Sequence, residues 1–274
     1  MSSTTIRSYK SARREANRHG AKLAVSGQAQ EKLGLVIPAL REAENLGDLL
    51  GRTRMACAGL AIPYEVLVVD DDSRDGTSEI VSVIAREDAR VRLLVRTRER
   101  GLSGAILHGW QHTDATILGV MDADLQHPPE LVPQLLARIL AGCDLAIGSR
   151  YAQGGSRGCW NPLRGLLSAA AIWTACPLQT RWGRVQDPLS GIFLVRRHCV
   201  ENVQFQSAGF KLLLEILVRG RVGSVEEVPF AFGRRRAGRS KASLKVAWDY
   251  LSLLGRLYWM RLGMVGTPEF SGGD

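Results

Sequence analysis

Between Leu33 and Ser149 short apolar runs alternate with stretches of helical spacing, and that rhythm restricts the chain more than any other feature. LGLVIP at 33–38, YEVLVVD at 64–70, VRLLV at 91–95, TILGVMD at 116–122 and DLAIGS at 144–149 are apolar runs. Strands covered by helices on both faces read this way. REAENLGDLLGRTRM, TSEIVSVIAR, LSGAILHGW and PELVPQLLARIL lie between them with apolar residues at helical intervals. Strands separated by helices of roughly 10 to 15 residues form βαβ units around a mostly parallel sheet. The expected fold class is therefore α/β, and ligands in such sheets bind beyond the carboxyl ends of the strands.

A chain of 274 residues, 45% hydrophobic and 23% charged, supports a sizeable core and fits a folded α/β protein better than disorder or a fibrous repeat. Its net charge of +9 attracts phosphate, whether on a nucleotide, a nucleic acid or a lipid headgroup. The five cysteines are odd in number and form no CxxC pair, which argues for a reducing compartment and against a zinc knuckle or a disulfide framework. Residues 1–30 are basic without an apolar core, so they read as a flexible tail rather than a secretory signal, with a membrane-lying segment as the alternative.

Acids follow two of the strand runs directly. Asp70, Asp71 and Asp72 end the second, in VVDDDSRDGT; Asp122 and Asp124 end the fourth, in GVMDADLQHPPE. Carboxylates gathered at one sheet edge repel one another unless a cation or hydrogen-bond donors offset them. The Asp122-x-Asp124 pair, with Gln126 as a neutral oxygen donor, suits Mg²⁺ or Mn²⁺ bridging to a substrate diphosphate. Asp71 or Asp72 is expected to contact a ribose or base, against pure turn duty, and Thr77 to cap the next helix. Glu42 and Asn45 reach the same crevice or merely open the first helix. A dinucleotide-binding G-x-G-x-x-G is absent from VIPALREAEN after the first strand, and no P-loop occurs.

Taken in order, VIPALREAENL, VLVVDDDSRDGT, GVMDADLQHPPE, DLAIGSRYAQGG, QDPLSGIF, GFKLLLEIL and FGRRRAGRSK resemble the polyprenyl-phosphate (dolichol-phosphate) mannosyltransferases and their glucosyl relatives among the inverting glycosyltransferases of family 2. The likeness covers about residues 33 to 245. It implies a GT-A (nucleotide-diphospho-sugar transferase) fold and transfer of a hexose, with mannose from GDP-mannose favoured over glucose from UDP-glucose, to a polyprenyl or dolichyl monophosphate. It also implies positions. Pro38, Glu42, Asp70, Asp71 and Asp72 would shape the nucleoside site, and Asp122, Asp124 and Gln126 would hold Mg²⁺ or Mn²⁺ and the sugar diphosphate. Arg150, Asp187, Ser190, Gly191, Lys211, Arg236, Ser240 and Lys241 would line the transfer site. Ala39 and Leu40 depart from the family pattern in the first block.

A phosphate acceptor agrees with the residues. Its second pKa lies near about 6, so it needs no strong general base. The difficulty is bringing two anions together, and FGRRRAGRSKASLK supplies Arg234, Arg235, Arg236, Arg239, Lys241 and Lys245 between glycines. Asp187 either orients an acceptor or sugar hydroxyl or is locked to an arginine. Lys211 and Glu215, four residues apart, either pair or free the lysine for phosphate. His127, next to the acids, reads either as a residue that supports them from behind or as a loop residue.

No stretch is long and apolar enough to cross a bilayer. LKVAWDYLSLLGRLYWMRL at 244–262 sets Leu244, Trp248, Leu251 and Tyr258 against Lys245, Asp249, Ser252 and Arg256. Such a helix lies in the headgroup plane or packs on the domain or on a second subunit; LRGLLSAAAIWTACPL at 163–178 is a second lipid-facing candidate. The expected layout is a tail at 1–30, a catalytic domain at 31–240 and an interfacial or packing helix at 241–274, peripheral on the cytoplasmic face of a membrane. A homo-oligomer or a separate membrane subunit stays open. The rival functions are a transferase for a soluble glycan, a noncatalytic nucleotide-sugar binder and, on charge alone, a nucleic-acid binder, which no interleaved aromatics support.

Overall fold

The computed structural model of the chain describes residues 30–98, 100–156, 158, 162–179, 185–205, 211–233 and 244–261, almost all of them within the unit Glu31–Asp274. Seven strands, β1 (Leu33–Ala39), β2 (Tyr64–Asp70), β3 (Val91–Val95), β4 (Ile117–Met121), β5 (Leu145–Ser149), β6 (Ile192–Arg196) and β7 (Val225–Pro229), form one sheet in the order β3-β2-β1-β4-β6-β5-β7. Pairing is parallel except on both sides of β6, which runs against β4 and β5. The mostly parallel sheet expected from the alternation is present, with one reversed strand that alternation does not reveal.

The described α-helices are α1 (Ala43–Cys57), α2 (Thr77–Glu87), α3 (Leu102–Gln111), α4 (Val132–Leu140), α5 (Pro162–Ala175), the single turn α6 (Arg197–Val200), α7 (Leu212–Arg219) and α8 (Leu244–Arg261), and two short 3₁₀ turns, Pro129–Leu131 and Cys176–Gln179, complete the described elements. Strand β1 is buried along its whole length, and its side chains alternate between two cores. Leu35 and Ile37 pack with Leu46 and Leu49 of α1 and Leu135 and Ile139 of α4. Val36 packs on the other face with Ile106 and Trp110 of α3 and Leu213 and Ile216 of α7. Helix α3 comes so close to the sheet that a Cβ on Gly109 would stand 2.6 Å from a Val36 methyl. Truncating a leucine such as Leu35 to alanine in this interior costs about 2–5 kcal/mol.

Strand direction decides where the chemistry gathers. Because β2, β1 and β4 are parallel, Asp70 to Asp72 and Asp122 to Asp124 leave the sheet at the same edge. Because β6 is antiparallel and pairs Ile192 with Met121, the residues just before it, Leu189 to Gly191, arrive at that edge as well.

A third cluster joins α5, α7 and α8 through Ile172, Leu214, Leu253, Leu254 and Leu257. Tyr258 hydrogen-bonds the Thr174 carbonyl at 2.7 Å, so it belongs to the packing face and not to the apolar face drawn from the sequence. Trp248, Leu251 and Trp259 of α8 and Trp173 of α5 are instead exposed, each by more than half of its surface. The helix therefore packs on the domain along one side and bares tryptophans along another. Among the described residues no helix is long and apolar enough to cross a membrane.

Candidate active site

A cleft of about 320 Å³ opens at the shared strand edge. Its apolar wall comes from Ala105 and Ile106 of α3, Val120, Phe193, Leu212 and Leu213; its polar wall from Glu42, Asp71, Asp122, Asp124, Ser190 and Lys211. Pro38, Ala39 and Leu40, at the end of β1, and Gly191 complete the part that concerns the chemistry.

The loop after β2 is knitted by its own acids. Asp70 is fully buried; its carboxylate accepts from the Ser73 amide at 3.1 Å and the Ser78 hydroxyl at 2.5 Å. Asp71 borders the cleft while accepting from Arg96 at 2.9 Å and from the Gly101 amide at 2.7 Å. Burial raises the Asp71 carboxyl above its ordinary value, against the pull of the Gly101 amide and Arg96. Asp72 has a left-handed backbone, φ 56°, and faces Arg100 at 3.2 Å and Arg74 at 3.5 Å. Asp70 and Asp72 thus stand outside the cleft wall, and of the three acids only Asp71 is placed to meet a ligand. The N-cap of α2 is Gly76, not Thr77; the Thr77 hydroxyl instead donates to Asp75 at 2.7 Å and accepts from the Glu42 amide at 3.1 Å. That bond, with Asn45 donating to the Glu42 carboxylate at 2.8 Å, sets Glu42 at the mouth of the cleft.

The loop after β4 is built differently. Asp124 is buried on the wall and accepts from the Gln126 amide at 3.1 Å. Leu125 between them has φ 60°, a conformation that costs on the order of 1 kcal/mol or more for a side chain of this kind and persists only where the surroundings impose it. The imposing contacts run through Gly233. The Gln126 side-chain nitrogen donates to the Gly233 carbonyl at 3.2 Å, and the Gly233 amide returns a bond to the Gln126 carbonyl at 2.9 Å. Gln126 lies off the cleft wall. A carbonyl can only accept, so its side-chain nitrogen is committed and the side-chain oxygen is the atom left for a ligand.

Asp122 is about a third exposed at the side chain, and its amide donates to the Gly191 carbonyl at 3.2 Å. Gly191 is there for space: a Cβ on it would lie 2.0 Å from the Asp122 carboxylate. Two hard-oxygen carboxylates one residue apart, both on the cleft wall, with a cradle kept open by a glycine, fit a divalent cation of the Mg²⁺ or Mn²⁺ kind.

Cations surround this pair. Lys211 lines the cleft just ahead of α7, its ammonium donating to the Leu189 carbonyl at 3.4 Å. Burial lowers its pKa and Arg150 adds to that, while Asp122 and Asp187 oppose it. Glu215, the partner that the spacing offered Lys211 as one alternative, meets Arg219 at 2.7 Å. Arg150 holds Asp187 by a fork, Nε to Oδ2 and Nη2 to Oδ1, each at 2.7 Å, and its amide adds a third bond at 3.0 Å. Asp187 is completely buried and lies off the cleft, so of its two sequence readings the acid locked to an arginine is the one observed. Its own amide, with that of Gln186, donates to Glu227 in β7. Arg150 stacks over Phe232 at 5.2 Å, and Asp187 raises its pKa despite burial. Ser190 lies on the wall, its hydroxyl turned to the Ile192 backbone. Arg236, Ser240 and Lys241 lie outside the described residues.

The family model described as Glycosyl transferase family 2 matches residues 35–203. Curated relatives include a dolichol-phosphate mannosyltransferase of Pyrococcus furiosus, 42% identical over 82% of this chain and 63% of that protein. One from Mycosarcoma maydis is 40% identical over 84% of this chain and 80% of that protein. The polyprenol monophosphomannose synthase of Mycolicibacterium smegmatis is 35% identical over 76% of this chain and 80% of that protein. The chain thus spans just under two thirds of the Pyrococcus relative and about four fifths of the other two. Among solved structures, a glucosyl-3-phosphoglycerate synthase from Mycobacterium tuberculosis in complex with Mn²⁺, UDP-glucose and phosphoglyceric acid superposes with a TM-score of 0.62 at 19% identity, over 90% of this chain and 83% of that one. A mannosyl-3-phosphoglycerate synthase from Rubrobacter xylanophilus does so with a TM-score of 0.62 at 17% identity, over 89% and 79%. These two share the fold.

Proposed function

The chain belongs to glycosyl transferase family 2, in the branch of the dolichol-phosphate mannosyltransferases, and from that membership we propose that it transfers a mannosyl residue from GDP-mannose to the monophosphate of a polyprenol, with inversion at the anomeric carbon. The observation that carries this reading is Asp122 and Asp124 side by side on the cleft wall, with Lys211 lining the same cleft and Gly191 leaving room for the Asp122 carboxylate. Asp122 and Asp124 would hold Mg²⁺ or Mn²⁺, joined by the side-chain oxygen of Gln126. The chemistry such an ion supplies is neutralisation of the charge that gathers on a departing diphosphate.

In the transfer, a phosphate oxygen of the acceptor forms the bond to C1 as the bond from C1 to the diphosphate oxygen breaks, and the nucleoside diphosphate leaves. At neutral pH the acceptor is already largely dianionic, with a second pKa of about 6, so no side chain has to remove a proton. What the protein must do is bring anions together. Lys211 offers a charge disfavoured by burial, which a phosphate stabilises, and Arg150, immobilised by Asp187, adds a fixed positive field. The basic stretch 234–241, with Arg236, Ser240 and Lys241, starts directly after Gly233, the residue bonded to Gln126 in the acidic turn, and is assigned the acceptor phosphate. Glu42 and Asp71 are assigned the nucleoside.

The lipid tail asks for an apolar surface beside the site. Trp173, Trp248, Leu251 and Trp259 are exposed on the α5 and α8 pair, and tryptophans favour the headgroup boundary. With a net charge of +9 this supports peripheral attachment to an anionic membrane.

The test is a donor panel of GDP-mannose, UDP-glucose and UDP-galactose with polyprenyl monophosphate, in Mg²⁺ and in Mn²⁺, reading product and anomer. β-Mannosyl phosphate from GDP-mannose, abolished by chelator, is expected. Product from UDP-glucose alone, or transfer only to a soluble glycan, overturns the assignment. Flotation with liposomes containing anionic lipid tests the surface, where a protein that stays with the soluble fraction counts against it.

A further inference from the structure

His127 sits three residues after Asp124 and is 3% exposed, with neither ring nitrogen in a hydrogen bond. Its faces are taken by Phe230, with centroids 5.5 Å apart and tilted by 38°, and by Phe232, edge-on at 5.2 Å. A buried imidazole without partners is costly, about 1–3 kcal/mol for each unsatisfied group. An apolar residue would fill the same place without that cost.

Only a short movement separates the ring from a partner. Nδ1 stands 3.6 Å from Oδ2 of Asp122, beyond a hydrogen bond by about half an ångström. Both groups converge on Gly191, where a Cβ would lie 2.0 Å from Asp122 Oδ2 and 2.8 Å from His127 Cε1. Any side chain at 191 would therefore separate them. A carboxylate that gives one oxygen to a cation keeps the other for a donor that fixes its angle, and such partners commonly change metal affinity by about 10- to 100-fold when removed.

We propose that His127 is a positioning residue for Asp122: its Nδ1–H closes onto Oδ2 and turns the other carboxylate oxygen toward the divalent cation. The proposal rests on the reading of Asp122 as a cation ligand and adds which atom orients it. The phenylalanine pair holds the ring in the plane that makes the approach possible, and Gly191 keeps the path open.

The experiment measures Mn²⁺ affinity of the full chain in the presence of GDP, by the loss of the free-ion electron paramagnetic resonance signal. The variants are His127→Phe, which keeps ring volume but has no donor, His127→Asn, whose amide nitrogen falls near Nδ1, and His127→Gln, whose nitrogen falls near Nε2. The expected result is weaker Mn²⁺ binding by about 10- to 100-fold in His127→Phe, with most of the loss recovered in His127→Asn and little in His127→Gln. Unchanged affinity in a folded His127→Phe protein overturns the proposal while leaving the reading of the acids intact. If His127→Phe does not fold, the other two variants decide, and equal affinities in them overturn it. A wild-type chain that binds no Mn²⁺ with GDP sinks both ideas together. As an independent readout, Mg²⁺ added to ¹⁵N-histidine-labelled protein should shift the His127 Nδ1–H resonance downfield; a proton found on Nε2 contradicts the assignment.

Discussion

The acids that follow β2 and those that follow β4 look alike in the sequence, yet the structure gives them opposite surroundings. After β2, Asp70 is held by Ser73 and Ser78, Asp71 by Arg96 and Gly101, and Asp72 faces Arg100. The carboxylates of Asp70 and Asp72 are spent on shaping a loop, and Asp71, though tied by the same loop, is the one that also borders the cleft. After β4, Asp122 and Asp124 both border the cleft, Lys211 shares the same wall, and neither ring nitrogen of the histidine beside them is in a hydrogen bond. On the proposed reading, an acid that ends a strand either gathers donors to shape its loop or faces a ligand. Distant partners decide which, as Arg96, Gly101, Gly191 and Lys211 do here.

The sharpest break of this contrast is Asp124→Asn. Losing one ligand charge from the β4 pair should lower kcat on the order of 10³-fold, the range seen when a single group that stabilises developing charge is removed. Transfer assays under saturating Mg²⁺ or Mn²⁺ read it, and a loss below tenfold would put the metal elsewhere.

Next in size is Asp187→Asn, which tests whether the acid behind Arg150 is structural. Removing one partner of a buried fork leaves an uncompensated cation and costs about 3–5 kcal/mol. A lowered urea midpoint with an unchanged slope is expected. A folded variant of wild-type stability that has lost only acceptor use would instead return Asp187 to the transfer site.

Lys211→Met separates function from stability on the β4 side. A charged hydrogen bond to phosphate is worth about 1.5–3 kcal/mol, so kcat/KM for the acceptor should fall on the order of 10- to 100-fold. Stability should move the other way. The folded pKa of Lys211 lies below its unfolded value, so the unfolded chain binds the proton more tightly. The cost is present in full below the folded pKa and fades as pH rises from there toward about 10.5. The methionine variant should therefore be the more stable protein at neutral pH, with the difference shrinking in alkaline buffer; a pH-independent difference would mean that packing, not charge, is involved.

Much of this was legible from the residues. Strands β1 to β5 stand where apolar runs bounded by turns place them, and Asp122 and Asp124 announce themselves by following such a run. What escaped depends on partners far along the chain or on direction. Periodicity cannot tell that β6 runs backwards, although that reversal delivers Ser190 and Gly191 to the site. VEEVP contains no apolar run, yet β7 is a strand whose Glu227 anchors the amides before the Asp187 turn. Asp187 and Arg150 are 37 residues apart, so only resemblance brought both into the site and nothing local showed that they bind each other. His127 stays open between supporting the acids and loop duty in the sequence, because the aromatics at 230 and 232 that bury it lie about a hundred residues away.

The smallest expected effect is also the most selective check on the contrast between the two loops. Asp72 is the β2 acid that faces solvent most, its side chain 29% exposed against an Arg100 that is 53% exposed. An exposed pair of this kind contributes about 0–1 kcal/mol, because water and salt screen it and ordering two side chains offsets the attraction. Asp72→Asn should therefore shift the unfolding midpoint only slightly, and that shift should vanish in high salt. Asparagine also tolerates the left-handed backbone at this position, so the turn itself survives the exchange. If the β2 acids only shape their loop, KM for GDP-mannose and affinity for Mn²⁺ both stay at wild-type values. A rise in KM for the donor without any change in stability would show that Asp72 swings to meet the nucleoside once it binds, and the division between loop-shaping and ligand-facing acids would have to be redrawn at this residue.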